Sequence, residues 1–166
     1  MISERSFEKI DINDLNRLAN IAYKDRVDFF LRYPNWAVLY AQKILCVALC
    51  QGAALHFIDG KNGIKDFDVW TFYVESKKPF PYRRLRSYDF GMPKFGKTPG
   101  FEYFIGRKVD LIGRSIPIKS DNPIKNLIEY LSHPRTKSAR ELSKKGIVIL
   151  EPTKYIGKIV WQKEHL

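Results

Sequence analysis

Asp66 and Asp68 are separated by a single residue, Phe67, at the head of a run of strand formers, Val69, Trp70, Thr71, Phe72 and Tyr73. Residues two apart on a strand point to the same face, so the two carboxylates project together. Side by side they repel, and the repulsion is quenched only by water or by a cation. Hard oxygen donors of this kind suit Mg²⁺ or Mn²⁺. A paired-metal site needs a further acid from elsewhere in the chain. Asp110, between Val109 and Leu111, offers one on a second strand, and Asp89, between Tyr88 and Phe90, is its rival.

The other reactive side chains point away from catalysis. Cys46 and Cys50 lie in the hydrophobic run Ile44 to Cys50, where a free cysteine behaves as a small apolar residue. His56, His133 and His165 have no ligand spacing.

The elements that must hold the acids follow from periodicity. Ile12, Leu15, Leu18, Ala19 and Ala22, then Val27, Phe29 and Phe30, predict an amphipathic helix, or two joined helices, from Asp11 to Arg32. Tyr33-Pro34-Asn35 breaks it, and Trp36 to Lys43 reads as a second short helix. Ile44 to Cys50 has no polar face and reads as a buried strand. Gly52 opens a small-residue turn, followed by helical turns over Ala53 to Ile58 and a loop over residues 59–63. A strand from Phe67 to Val74 ends before Lys77-Lys78-Pro79.

Residues 79–100, with four prolines and three glycines, predict an irregular loop containing a short strand near Tyr88 to Phe90. Its Arg83, Arg84 and Arg86, with Tyr82, Tyr88 and Phe90, would suit base stacking on nucleic acid. Lys108 to Ile112 is the next strand. Pro123 to Ser132 is a helix capped by Asp121 or Asn122, and a second, basic helix runs after His133-Pro134 to Lys145, stopped by Gly146. Ile147 to Leu150 and Tyr155 to Trp161 close the chain as strands or extended segments. The fold class is α+β, a mixed sheet with helices packed on it, in one domain over 1–166. N-terminal helices occupy 11–43, the motif-bearing core 44–119, and further helices and strands 121–162.

The run Val47-Ala48-Leu49-Cys50-Gln51-Gly52-Ala53-Ala54, the thirteen residues between Gly52 and Asp66, the Asp66-Phe67-Asp68 strand and the later Asp110 together resemble the nucleotidyltransferase superfamily related to DNA polymerase β. The resemblance covers roughly 44–119 and implies that Asp66, Asp68 and Asp110 hold Mg²⁺ or Mn²⁺ and carry catalysis. It further implies that backbone N–H groups at Gln51, Gly52 and Ala53 cradle a nucleoside triphosphate at a helix start. Arg107, Lys108 and Arg114, and also Lys119, flank the third acid and are expected to bind phosphates. Gln51 stands where the family usually carries its first glycine, and a side chain there opposes the backbone conformation such a turn requires.

The activity so implied is transfer of a nucleoside monophosphate to a hydroxyl of a small molecule, RNA or protein. The chain carries 29 Lys and Arg against 18 Asp and Glu, a formal charge of +11, which favours polyanionic partners. That charge, with Gln51, keeps open a non-catalytic relative that binds nucleic acid or protein, and members of the superfamily also pair with separate helical proteins. A third reading, a metal-dependent nuclease, would use Asp68 with Glu75 and Lys77. Apolar stretches are too short for a membrane span. Glu4, Arg5, Glu8 and Lys9 argue against a signal peptide, so the cytoplasm is the expected compartment.

Overall fold

The computed structural model describes residues 4–81 and 86–162. Among these residues six strands form one mixed sheet: β1 (Ile44–Cys50), β2 (Phe67–Val74), β3 (Arg86–Asp89), β4 (Lys108–Ile116), β5 (Gly146–Glu151) and β6 (Ile159–Gln162), in the order β3-β4-β2-β1-β5-β6. The pair β2 and β4 is parallel; all other neighbours are antiparallel. A parallel pair needs a long crossover, and the irregular segment with the edge strand β3 forms part of it. β4 runs four residues beyond the expected Ile112, because Arg114 and Ile116 continue its alternation beside Phe72 and Val74 of β2. The expected terminal strand from Tyr155 is a 3₁₀ turn (Thr153–Tyr155) followed by the short β6.

Among the described residues five helices cover the sheet: α1 (Ile12–Arg32), α2 (Pro34–Tyr40), α3 (Gln51–Asp59), α4 (Pro123–Ser132) and α5 (Lys137–Leu142). α1 is one continuous helix. Its start is fixed by a capping box in which the Asp14 amide donates to Asp11 Oδ1 (3.0 Å) and the Asp11 amide donates to Asp14 Oδ2 (2.8 Å). Lys94 Nζ reaches both acids, at 3.2 and 2.7 Å, and ties the loop after β3 to this helix end. Asn122, rather than Asp121, caps α4.

Strand alternation divides the core in two. Val47, Leu49, Phe67, Val69, Val109, Leu111 and Val148 face α1 and α3. Ala48, Cys50, Trp70, Phe72, Ile116, Ile147 and Ile149 face α4 and α5. A third cluster, Phe29, Tyr40, Tyr73 and Phe80, seals the junction of α1 and α2 with the sheet. Cys46 and Cys50 are both free and buried, and burial pushes the Cys46 thiol up to about 12. His56 is also structural, its Nε2 donating to Glu8 O (2.9 Å) and its Nδ1 accepting from the Gly63 amide (3.2 Å).

Two side chains lock the loop between β3 and β4. Asp89 accepts from the amides of Gly91 (2.8 Å), Ile105 (2.6 Å) and Gly106 (2.8 Å). Burial alone would raise its pKa, yet these three donors hold it below the ordinary value. Asp89 is therefore a staple and not the third acid. Arg107 is only 1% exposed. It donates to the Phe95 carbonyl from Nε (3.0 Å) and Nη2 (2.9 Å), and from Nη1 to the carbonyls of Glu4 (2.9 Å) and Lys65 (3.3 Å). This corrects the expectation that Arg107 binds phosphate, since its guanidinium is spent on the backbone.

Arg107→Met would strand those carbonyls in the interior, and the expected loss of stability is about 2–4 kcal/mol. Urea denaturation of the variant against the wild type measures it; a loss below about 0.5 kcal/mol would show that the brace contributes nothing beyond a surface side chain.

Candidate metal centre and phosphate cleft

At one edge of the sheet β1 ends while β2, β4 and β5 begin. The parallel register sets Asp68 beside Asp110, and Asp66 lies two residues ahead of Asp68 on the same face. One carboxylate oxygen from each of Asp66, Asp68 and Asp110 lies within 4.8 Å of the others. Three hard donors in that space, all partly or fully buried, fit a divalent cation, and among the described residues no other group of His, Cys, Asp or Glu converges in this way.

The electrostatics report the strain. Burial, followed by repulsion from Asp66 and Asp110, pushes Asp68 up to about 7, against the pull of Lys108 and Lys145. Burial and then Asp110 also raise Asp66, with Lys108 opposing. The cluster has drawn in an ammonium: Lys108 Nζ lies 3.2 Å from Asp110 Oδ2 and 3.6 Å from Asp66 Oδ2, and 4.8 Å from the centre of the Phe101 ring. Burial would lower the Lys108 pKa, but Asp110 and Asp66 outweigh it and raise it. Ser87 Oγ donates to Asp110 Oδ1 at 2.8 Å.

Beside the acids opens a cleft of about 310 Å³. The start of α3, at Gln51, Gly52 and Ala53, forms one wall; Arg5, Lys65, Lys144 and Lys145 supply positive charge, with Glu141 bound to Lys144 at 3.3 Å. No side chain caps this helix start. Gln51 has φ 63°, the only positive value among the described residues other than glycine. The turn therefore takes the left-handed conformation that glycine would adopt freely, despite the side chain.

The remaining candidates fall outside the centre. Arg114 lies on the same face of β4 as Asp110 but four residues along, about 13 Å away, where its Nη1 donates to Ser138 Oγ (3.3 Å). It is corrected from a phosphate ligand to a link between sheet and α5. Lys119 pairs instead with Glu129 at 3.4 Å. Glu75 and Lys77 are exposed beyond the far end of β2, roughly 23 Å of strand from Asp68, so the nuclease constellation does not assemble. Tyr82, Arg83 and Arg84 lie outside the described residues. Phe90 is fully buried and the Tyr88 hydroxyl donates to Asp25, which removes both from base stacking.

Residues at the centre that the sequence reading missed are Ser87, Lys144, Lys145, Arg5 and Lys65. Ser87 carries no local signal, because only the β3–β4 register sets it opposite Asp110. Lys144 and Lys145 had one: they close a basic stretch just before Gly146, although α5 itself stops at Leu142 and not at Lys145 as expected, and Gly146 bridges to Gln51. Compared with protein-family models, curated proteins and solved structures, the chain matches none of them. Among the described residues no helix is long and apolar enough to cross a membrane.

Asp68 yields a pH test. Its folded value of about 7 lies above the ordinary 3.8, so folding favours the protonated form. That contribution is fully present below pH 3.8 and is lost as pH rises through about 7. Asp68→Asn cannot ionise. In EDTA the variant is expected to melt several degrees above the wild type at pH values beyond 7, with the two curves converging in acid; a difference independent of pH would refute the assignment.

Proposed function

We propose that this chain is a Mg²⁺- or Mn²⁺-dependent nucleotidyltransferase of the type related to DNA polymerase β. The observation that carries the reading is the coincidence, at one sheet edge, of three carboxylates within 4.8 Å and a basic cleft walled by an uncapped helix start. Asp66, Asp68 and Asp110 would hold the cation, which when bound supplies Lewis-acid polarisation of the phosphate and lowers the pKa of the attacking hydroxyl.

The chain's own groups do the rest. The amides of Gly52 and Ala53 and the positive end of α3 receive the triphosphate, assisted by Lys65, Lys144, Lys145 and Arg5. Ser87 fixes the rotamer of Asp110 through Oδ1, leaving Oδ2 toward the centre. The acceptor oxygen forms a bond to the α-phosphorus, the bond from that phosphorus to the bridging oxygen breaks, and pyrophosphate leaves. The hydroxyl proton is released to water in the open cleft. Charge stabilisation and positioning supply the acceleration.

One observation favours a second reading. Lys108 occupies the space among the carboxylates with a covalently tethered cation. In a non-catalytic binding module descended from the same fold, that ammonium would replace the metal permanently.

Titration calorimetry separates the two. The transferase reading requires triphosphate binding that depends on Mg²⁺ and is lost in Asp66→Asn and Asp110→Asn; equal affinity with and without the metal, or no binding, counts against it. Lys108→Met removes the competing cation, and Mn²⁺ is then expected to bind roughly tenfold tighter, as follows from deleting a charge at this range. The permanent-ammonium reading expects no metal binding by the wild type and a destabilised variant.

A further inference from the structure

The loop that leads into β4 carries the most exposed aromatic surface near the acids. Tyr103 is 77% exposed and Ile105 59% exposed, and Met92 beside them is also open to solvent. Phe101, Tyr103 and Phe104 form a contiguous group, with ring centres 4.7 Å apart for Tyr103 and Phe104, 5.4 Å for Phe101 and Phe104, and 6.0 Å for Phe101 and Tyr103. Tyr103 stands open while Phe101 and Phe104 are half-buried beneath it, and a contiguous aromatic surface of this kind marks an interaction site.

The platform is rigidly built. Asp89 holds the amides of Ile105 and Gly106, Lys97 Nζ donates to the Glu102 carbonyl (2.6 Å), and Arg107 anchors the strand start. Gly106 lies so close to Met92 that a β-carbon would stand 2.2 Å from the Met92 carbonyl oxygen. It is also joined to the candidate centre. The Phe101 ring lies under the Lys108 ammonium, which in turn bonds Asp110 and Asp66.

The sheet order fixes the sides. The phosphate cleft lies where β1 runs into α3, on one flank of the carboxylates, whereas the aromatic loop precedes β4, on the other. A donor triphosphate in the cleft leaves the aromatic flank for the acceptor. Lys97 lies in the loop and Lys65 adjoins it through its carbonyl, which accepts from Thr98 Oγ1 (3.3 Å); Lys108 is already engaged by Asp110 and Asp66, Glu102 is the loop's single acid, and the whole chain carries +11. Exposed rings with flanking lysines suit a ligand that alternates flat bases with phosphates.

We propose that Phe101, Tyr103 and Phe104 form a base-stacking platform that seats the end of a single-stranded nucleic acid beside the carboxylate cluster. The inference rests on the transferase reading for its purpose, since it names that reaction's acceptor, but it is tested by binding alone. The probes are a short fluorescein-labelled oligoribonucleotide and its deoxy counterpart, followed by anisotropy with Mg²⁺ present. Tyr103→Ala is expected to weaken binding roughly fivefold to a hundredfold for a lost stacked base. Tyr103→Phe keeps the affinity, and the slope of affinity against salt is unchanged because no phosphate contact is removed.

Tyr103 is largely solvent-exposed, so the variant folds; Phe104→Ala provides a second truncation should circular dichroism show otherwise. Unchanged oligonucleotide affinity in both truncations overturns the proposal. So does a wild-type dimer that Tyr103→Ala converts to a monomer with no change in oligonucleotide binding, since the surface then belongs to a second copy of the chain. Oligonucleotide binding that depends on Tyr103 while triphosphate binding fails upholds the platform and removes the transferase reading. Triphosphate binding with an indifferent Tyr103 does the reverse.

Discussion

Parallel pairing of β2 with β4 sets Asp68 against Asp110, and the crowding of negative charge that results governs the architecture around it. Two unit charges 4.8 Å apart in a medium of effective dielectric near 20 repel by on the order of 3 kcal/mol. Three such pairs would consume most of the stability of an ordinary domain, about 5–15 kcal/mol. Two features of the fold meet this: burial and the neighbouring acids push Asp68 up to about 7, and Lys108 inserts an ammonium between Asp110 and Asp66. Under the proposed transferase reading, a bound divalent cation would relieve a cost already present in the fold.

Around that centre the sheet order distributes tasks. On the β1 side, a helix starts at the strand end and the α5–β5 junction brings lysines to it. On the β4 side, a loop is nailed down by Asp89 and Arg107. The two braces use opposite chemistry, a carboxylate taking three amides and a guanidinium giving to three carbonyls. Together they satisfy backbone groups that an irregular buried segment would otherwise leave unpaired. The edge strand β3 closes the arrangement, delivering Ser87 to Asp110 from the outside of the sheet.

What the sequence conveyed depended on how local the signal was. Phe67 to Val74 and Pro123 to Ser132 came out with their observed bounds, since strand formers ending at Lys77-Lys78-Pro79 and a proline after an Asn cap are signals a few residues wide. Arg107 was misread because an arginine beside an acid strand resembles a phosphate ligand. Yet the alternation that put Lys108 with Asp110 also put Arg107 with Val109 and Leu111, on the core face. Arg114 has the correct parity and the wrong position along the strand, an error of distance that parity cannot detect. Ser87 required the register of partners far apart in the chain. The sequence points to Tyr82, Tyr88 and Phe90 for an aromatic surface; Tyr82 lies outside the described residues, Tyr88 and Phe90 pack against the core, and the exposed ring comes later, at Tyr103 beside half-buried Phe101 and Phe104.

Gln51 shows how a position can defy its usual residue. A side chain at φ 63° costs roughly 1–2 kcal/mol, and such strain persists only where the surroundings over-determine it. Here they do. Gln51 bridges to Gly146, and Gly146 is pressed against α3 so closely that a β-carbon would lie 2.9 Å from Ile58 Cδ1 and 3.3 Å from the Leu55 amide nitrogen. Gly146 serves the turn by its missing side chain and not by backbone freedom, since its own φ is not positive: it lets α3 settle against β5. The helix start consequently holds its direction toward the cleft without a glycine at its first residue, and the lysines preceding Gly146 are carried to the same cleft by the same contact. The departure at Gln51 and the delivery of Lys144 and Lys145 are thus two consequences of one close approach between helix and strand.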